Sequence, residues 1–322
     1  MSGTRTISIA GALGLWAALG LTITLLGLRL GYGGERYAVA LLVLLLLLAG
    51  QILHGSQSFR AWVVAPLRHA SLPLLSLLPG VLYLVYLLGT REFSWVRLGG
   101  GIAWAGLPAL VAYSARGRRA GVWQDYAVLV VLWMPIEFGW GRLLFPYPSE
   151  ATHTLEILLA LNAGIVAFLG IRRLEGIGYT IGWGKGFGAV VALSFAAFAA
   201  IAIPLGLWMH FIRWAPSLGR LRSLPLSALG ILVFTAWPEE FLFRGLLQNL
   251  LSKSLGNELA GWILASALFG LSHIVHGFPN WGYVLLASIA GLFYGMAWRK
   301  TKSMTASSLV HALVDTVWHT LF

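Results

Sequence analysis

Glu239, Glu240 and Arg244 stand in the run TAWPEEFLFRGLLQ, inside a stretch otherwise apolar enough to cross a bilayer. A carboxylate in hydrocarbon costs about 2.5–3.5 kcal/mol on insertion scales, so a chain that keeps two of them there is expected to use them. Adjacent helical residues point about 100° apart, whereas residues four apart share a face. Glu240 is therefore expected to pair with Arg244, which leaves Glu239 without a partner on its own helix and free to take a proton from water as a general base. Pro238 deprives one helical carbonyl of its bond, and a kink there would open room for water. The alternative is a purely structural ion-pair network, which does not explain the second carboxylate.

Further acid-base residues lie in later apolar stretches: His273 in ALFGLSHI, then His311 and Asp315 in SSLVHALVDTVW. His311 and Asp315 are four apart, so carboxylate and imidazole share a face and the acid can fix the ring's tautomer. His276, near the breaker-rich turn HIVHGFPNWG, and His319, close to the last residue, read as interfacial. Gly291 and Gly295, with Ala287 and Ala290 beside them, make a small-residue surface that lets helices approach closely and is expected to bring His273 and His311 together. Glu137, between Pro135 and Arg142, is one more intramembrane acid, read equally as structural or as lining a cavity.

These residues need a frame of membrane helices. Spans of about 20 mostly apolar residues are expected near 7–28, 38–53, 71–88, 97–114, 126–145, 155–171, 187–211, 225–252, 258–275, 281–298 and 304–321. The fold expected is all-α, a polytopic transmembrane helical bundle of ten or eleven spans. Two regions follow: residues 1–224, helices without a motif, and residues 225–322, which hold the chemistry. The connector 172–186, mixing Trp and Tyr with cations, is expected along the membrane surface. At about 1.5 Å per residue on alternating spans, Glu239 and His311 fall at similar depth and His273 roughly 10 Å nearer the opposite face. Either the helices flanking Gly256 join below the membrane surface, or HGFPN re-enters it.

Composition agrees with an integral, multi-pass membrane protein, placed here in the plasma membrane of a prokaryote. Hydrophobic residues make up 58% of the 322 residues and charged ones 10%, against about a quarter charged in soluble domains. The net charge of +11 comes from cations dispersed between apolar runs, a pattern of topology control rather than of nucleic-acid binding. With eleven spans, thirteen Lys and Arg fall on the N-terminal side and eight on the other, with Arg244 inside a span; the bias favours a cytoplasmic N-terminus. The absence of cysteine excludes disulfides, thiolate ligands and a cysteine nucleophile.

In their order, EExxxR (Glu239, Glu240, Arg244), FxxxH (Phe269, His273), a glycine-bearing helix and HxxxD (His311, Asp315) resemble the motifs of the CAAX-prenyl-protease and bacteriocin-processing family, over about a third of the chain. The resemblance implies a membrane endopeptidase whose site opens into the bilayer. It also implies a glutamate that activates water beside a histidine, and a last histidine that steadies the oxyanion with an amide partner. Those roles fall on Glu239 with His273, and on His311 with position 315. Asp315 departs from the asparagine of many members, and an ionised carboxylate cannot donate to an oxyanion.

The expected function is hydrolysis of a peptide bond within or beside the bilayer, in a membrane-associated peptide or protein that is prenylated in some members of the family. No cofactor is required; in a metal variant His273, His311 and Glu239 would hold a zinc with one open position. Two rivals belong to other classes: a proton- or ion-coupled transporter, and a non-catalytic scaffold or immunity protein of protease ancestry.

Overall fold

A computed structural model describes residues 5–64, 77–277 and 279–322. The described chain is almost wholly helical and divides into two compact units, Thr6–Glu175 and Gly176–Phe322 with Arg5. The expected boundary at 224/225 marks where motifs begin, and it falls inside the second unit.

In the first unit α1 (Ile9–Arg29), α2 (Gly34–Leu53), α3 (Gln57–Val64), α4 (Leu77–Gly89), α5 (Trp95–Ser114), α6 (Trp123–Glu137) and α7 (Thr152–Gly164) follow one another, and α7 continues as a π-helical turn, Ile165–Ile171. Serines start two of them: the Ser8 and Ser94 hydroxyls accept from the Gly11 and Arg97 amides, filling donors that a helix start leaves unpaired. Residues 71–76 of the expected span 71–88 lie outside the described residues. The expected span 126–145 is not one helix. It ends at Glu137, Gly139 turns at φ +66°, and a separate four-residue turn, Gly141–Leu144, follows. Glu137 has a local partner, accepting from Trp133 Nε1 at 2.9 Å. A buried clamp closes the unit, where Arg172 Nε meets Asp125 at 2.7 Å and its Nη2 reaches the Arg119 carbonyl.

In the second unit α8 (Phe187–Trp208) precedes the long α9 (Leu218–Leu255), α10 (Glu258–Leu271), α11 (Trp281–Thr301) and α12 (Met304–Leu321). Gly256 ends α9 with φ +61°, and Asn257 at once caps α10 by accepting from the Leu259 and Ala260 amides, so GN reverses the chain in two residues. Fourteen residues make α10 about 21 Å long, short of a hydrocarbon core of about 30 Å. His273 thus sits in the turn just past a helix that stops before a full crossing, which removes the depth mismatch expected for a helix over 258–275. Phe278, within HGFPN, lies outside the described residues.

Among the described residues seven helices are long and apolar enough to cross a membrane, and Leu77–Gly89 and Glu258–Leu271 are shorter apolar helices. The chain is an integral membrane protein; of the ten or eleven spans expected, seven meet that length and hydropathy among the described residues. α12 carries His311, Asp315 and His319 and is not among the seven. The connector 172–186 is partly buried in protein, with Arg173, Trp183 and Lys185 left exposed. Ile177 and Tyr179 are buried, the Tyr179 ring meets Trp237 and Phe241 edge-on, and Trp298 Nε1 donates to the Ile177 carbonyl at 3.1 Å. Burial of Ile177 and Tyr179 against α9 and α11 removes their apolar surface from solvent.

Small residues set how closely α10 and α11 approach. A Cβ on Gly270 would lie 2.5 Å from the Val284 carbonyl oxygen, and one on Gly291 3.0 Å from the Ser266 Cα. Backbone cannot swing aside as a side chain can, so Gly270→Ala is expected to cost about 1–3 kcal/mol by overpacking. Gly230→Ala, where nothing lies within 4 Å, is expected to be neutral or slightly stabilising in the same helix-rich unit. Unfolding temperatures of the two variants in detergent check the contrast.

Candidate active site

Pro238 cannot donate to the turn before it. In α9 the acids stand in a short α-helical stretch, Trp237–Glu240, between two π-helical segments, Leu232–Ala236 and Phe241–Gln248. Widened turns of this kind re-aim side chains and recur at functional sites. Here the two glutamates separate. The Glu239 side chain is 35% exposed and lines a cavity of about 250 Å3, whereas Glu240 is fully buried.

Glu240 does two jobs. Its Oε2 lies 3.2 Å from Arg244 Nε, the pair expected from their spacing. Its Oε1 accepts from His311 Nδ1 at 2.9 Å, so the partner that holds this ring by Nδ1 comes from α9. Asp315, expected to hold the ring, instead faces the other nitrogen, with Oδ2 3.4 Å from Nε2. Glu239 Oε2 stands 3.8 Å from the same Nε2. Helical spacing could show only that Asp315 shares a face with His311; the contact from Glu240 is a product of packing two helices 71 residues apart in sequence.

Phe269 explains why FxxxH has the length it has. Its carbonyl is 2.8 Å from His273 Nδ1 and can only accept, so that nitrogen carries the proton. Nε2 is then the ring nitrogen with a lone pair. The Phe269 ring lies 4.9 Å from the His273 ring and 5.8 Å from that of His311, and it also takes the Arg244 guanidinium at 4.4 Å. One aromatic thus seats both histidines and the arginine. Arg244 Nη2 reaches the Gly291 carbonyl at 3.4 Å, so the small residue that admits α10 also offers the arginine an acceptor.

Glu239, His273, His311 and Asp315 line one cavity, while Glu240 and Arg244 stand behind its wall. Three carboxylates face two cationic partners, Arg244 and His311; of the two acids that line the cavity, Glu239 is the more exposed and stands farther from His311 Nε2, at 3.8 Å against 3.4 Å for Asp315. Glu239 and His273 line the same cavity, so a water held there could serve both, and His311 Nε2 offers that cavity a donor for a carbonyl oxygen. Among the described residues no three His, Asp or Glu side chains come together as ligands of a metal ion. Glu239, His273 and His311, the residues expected to hold a zinc, share the cavity without forming such a set.

His276 and His319 also line this cavity, with His276 5.8 Å from the His273 ring and His319 stacked on Trp318; both were expected at the interface. Two tyrosines escaped the sequence reading. Tyr294 stacks on His311 at 4.4 Å, and the Tyr283 ring lies 4.6 Å from His273. The one available signal was their place on the small-residue helix, Tyr294 directly before Gly295.

Residues 221–317 match the family model described as type II CAAX prenyl endopeptidase Rce1-like. The motif-bearing region is Rce1-like. The match takes in EExxxR, FxxxH and HxxxD, begins four residues before the expected 225, and ends before His319. The Rce1-like region lies wholly within the second compact unit. Comparison with curated proteins and with solved structures gives no match.

Proposed function

We propose that this protein is an intramembrane endopeptidase of the glutamate type, working in a prokaryotic plasma membrane on a membrane-associated, prenylated peptide or protein. One observation carries the reading: of the two carboxylates that line the cavity, Glu239 is the more exposed and has no ionic partner nearer than 3.8 Å, while Asp315 stands 3.4 Å from His311 Nε2 and Glu240 is tied to Arg244 and His311. The Rce1-like match supports the reaction class and the kind of substrate.

In the proposed reaction Glu239 removes a proton from a water that also donates to His273 Nε2. The water oxygen attacks the scissile carbonyl carbon, and negative charge develops on the carbonyl oxygen. His311 donates to that oxygen through Nε2. Because Nδ1–H is engaged by Glu240, this donation needs both ring nitrogens protonated. Glu240 and Arg244 position the ring and the helix rather than touch substrate. Glu239 then passes its proton to the departing amine as the C–N bond breaks.

The test is cleavage of a quenched farnesylated CAAX peptide by purified protein in proteoliposomes. Cleavage unaffected by EDTA is expected. Activity lost to the chelator and restored by zinc would replace the glutamate-only reaction with a metal one. Proton or ion flux without cleavage would favour the transporter, and a cellular phenotype retained by Glu239→Ala would favour the scaffold.

A further inference from the structure

The reaction above leaves its oxyanion with a single donor. His311 Nδ1 is taken by Glu240 at 2.9 Å, and Asp315 Oδ2 stands 3.4 Å from Nε2 and competes for that proton. Position 315 carries a carboxylate, which accepts hydrogen bonds and, when ionised, does not donate them. A second donor must come from elsewhere if charge is to be met as two-donor oxyanion holes meet it.

Tyr294 is placed to be that donor. It is only 1% exposed, yet it lines the cavity shared by Glu239, His311 and Asp315. Its ring lies nearly parallel to that of His311, 16° between planes with centroids 4.4 Å apart, and edge-on to Phe269 at 5.9 Å. The Arg244 guanidinium at 5.3 Å covers it from behind. The ring is therefore packed against three neighbours at the cavity wall. Its hydroxyl has no hydrogen-bond partner among the described residues, and it is not one of the polar atoms sealed from the surface. Buried tyrosines normally spend the hydroxyl on a partner; this one keeps its proton for whatever occupies the cavity.

We propose that Tyr294 is a catalytic residue, the second oxyanion donor that Asp315 cannot be. The proposal rests on the reading of Glu239 as the base. As the water oxygen bonds to carbon, the carbonyl π pair moves to oxygen, and Tyr294 O–H and His311 Nε2–H hydrogen-bond to it without giving up their protons. Collapse restores the carbonyl and breaks the C–N bond, and the amine nitrogen takes the proton held by Glu239.

Tyr294→Phe keeps the stacked ring and removes only the donor. The expected result is a kcat lower by about 10²–10³-fold, with KM and the unfolding temperature unchanged. Asp315→Asn introduced into Tyr294→Phe supplies an amide donor and is expected to restore part of the lost rate, which a merely structural tyrosine would not allow. Tyr283→Phe, the other cavity tyrosine, is expected to lose far less. A Tyr294→Phe enzyme at wild-type rate, an equal loss from Tyr283→Phe, or no rescue by Asp315→Asn would overturn the assignment. With Glu239→Gln as reference the two ideas separate: full activity there sinks the base, whereas an inactive Glu239→Gln beside a fully active Tyr294→Phe sinks this proposal alone.

Discussion

Glu239→Gln is expected to lower kcat for peptide cleavage by about 10²–10⁴-fold, the usual worth of a positioned general base, and to leave the unfolding temperature where it was. The substitution is isosteric, and the side chain it alters is 35% exposed to the cavity with His311 Nε2 3.8 Å away as its nearest ionic neighbour. No ion pair at hydrogen-bond distance is lost, so stability has little reason to change. KM is expected to stay within the same range, because an amide fills the same space and the base acts on water rather than on substrate. Cleavage of the farnesylated peptide and thermal unfolding, measured on the same preparation, check both halves. Wild-type turnover from Glu239→Gln would remove Glu239 from the reaction and leave the cavity without a base.

The neighbouring acid predicts the opposite phenotype. Arg244→Met is expected to destabilise the protein by about 3–5 kcal/mol, because removing one partner of a buried pair strands the other charge. Glu240 and Arg244 are both fully buried and 3.2 Å apart, so no water can take the arginine's place without opening the helix packing. The guanidinium also lies over Phe269 at 4.4 Å and donates to the Gly291 carbonyl at 3.4 Å. Arg244→Lys is therefore expected to rescue poorly, since an ammonium reproduces neither the planar stacking nor the fork of donors. The double variant Glu240→Leu/Arg244→Met is expected to regain much of the stability, as buried pairs often exchange neutrally for apolar residues. It should not regain activity, because His311 Nδ1 then loses its acceptor. Denaturant unfolding in micelles alongside the cleavage assay measures both; a single Arg244→Met variant as stable as wild type would show the pair to be idle.

The two glutamates show how much a short motif can say. Spacing alone separated them: residue i pairs with i+4, so Glu240 was tied to Arg244 and Glu239 was left over, and the structure keeps them 3.2 Å apart and apart from Glu239 in just that sense. The same reasoning gave Asp315 to His311, which is correct for Nε2 at 3.4 Å and silent about Nδ1. Helix positions followed from apolar runs, as for Gly34–Leu53 and Trp281–Thr301. They failed where a local breaker mattered more than hydropathy, as at Gly139, and they did not foresee that part of a connector packs into protein, as Tyr179 does.

By itself the sequence determined a helical membrane protein whose ionisable residues gather in the last hundred positions, because charge in hydrocarbon is too costly to keep without use and helical period decides which neighbours on one segment share a face. Only the tertiary structure decided that Glu240 of α9 holds His311 of α12, that Phe269 seats both imidazoles, and that Tyr294 brings an unspent hydroxyl to the same cavity. Contacts between helices depend on their rotation and separation, here on how closely Gly270 and Gly291 let α10 and α11 approach, and periodicity within one helix carries no record of either.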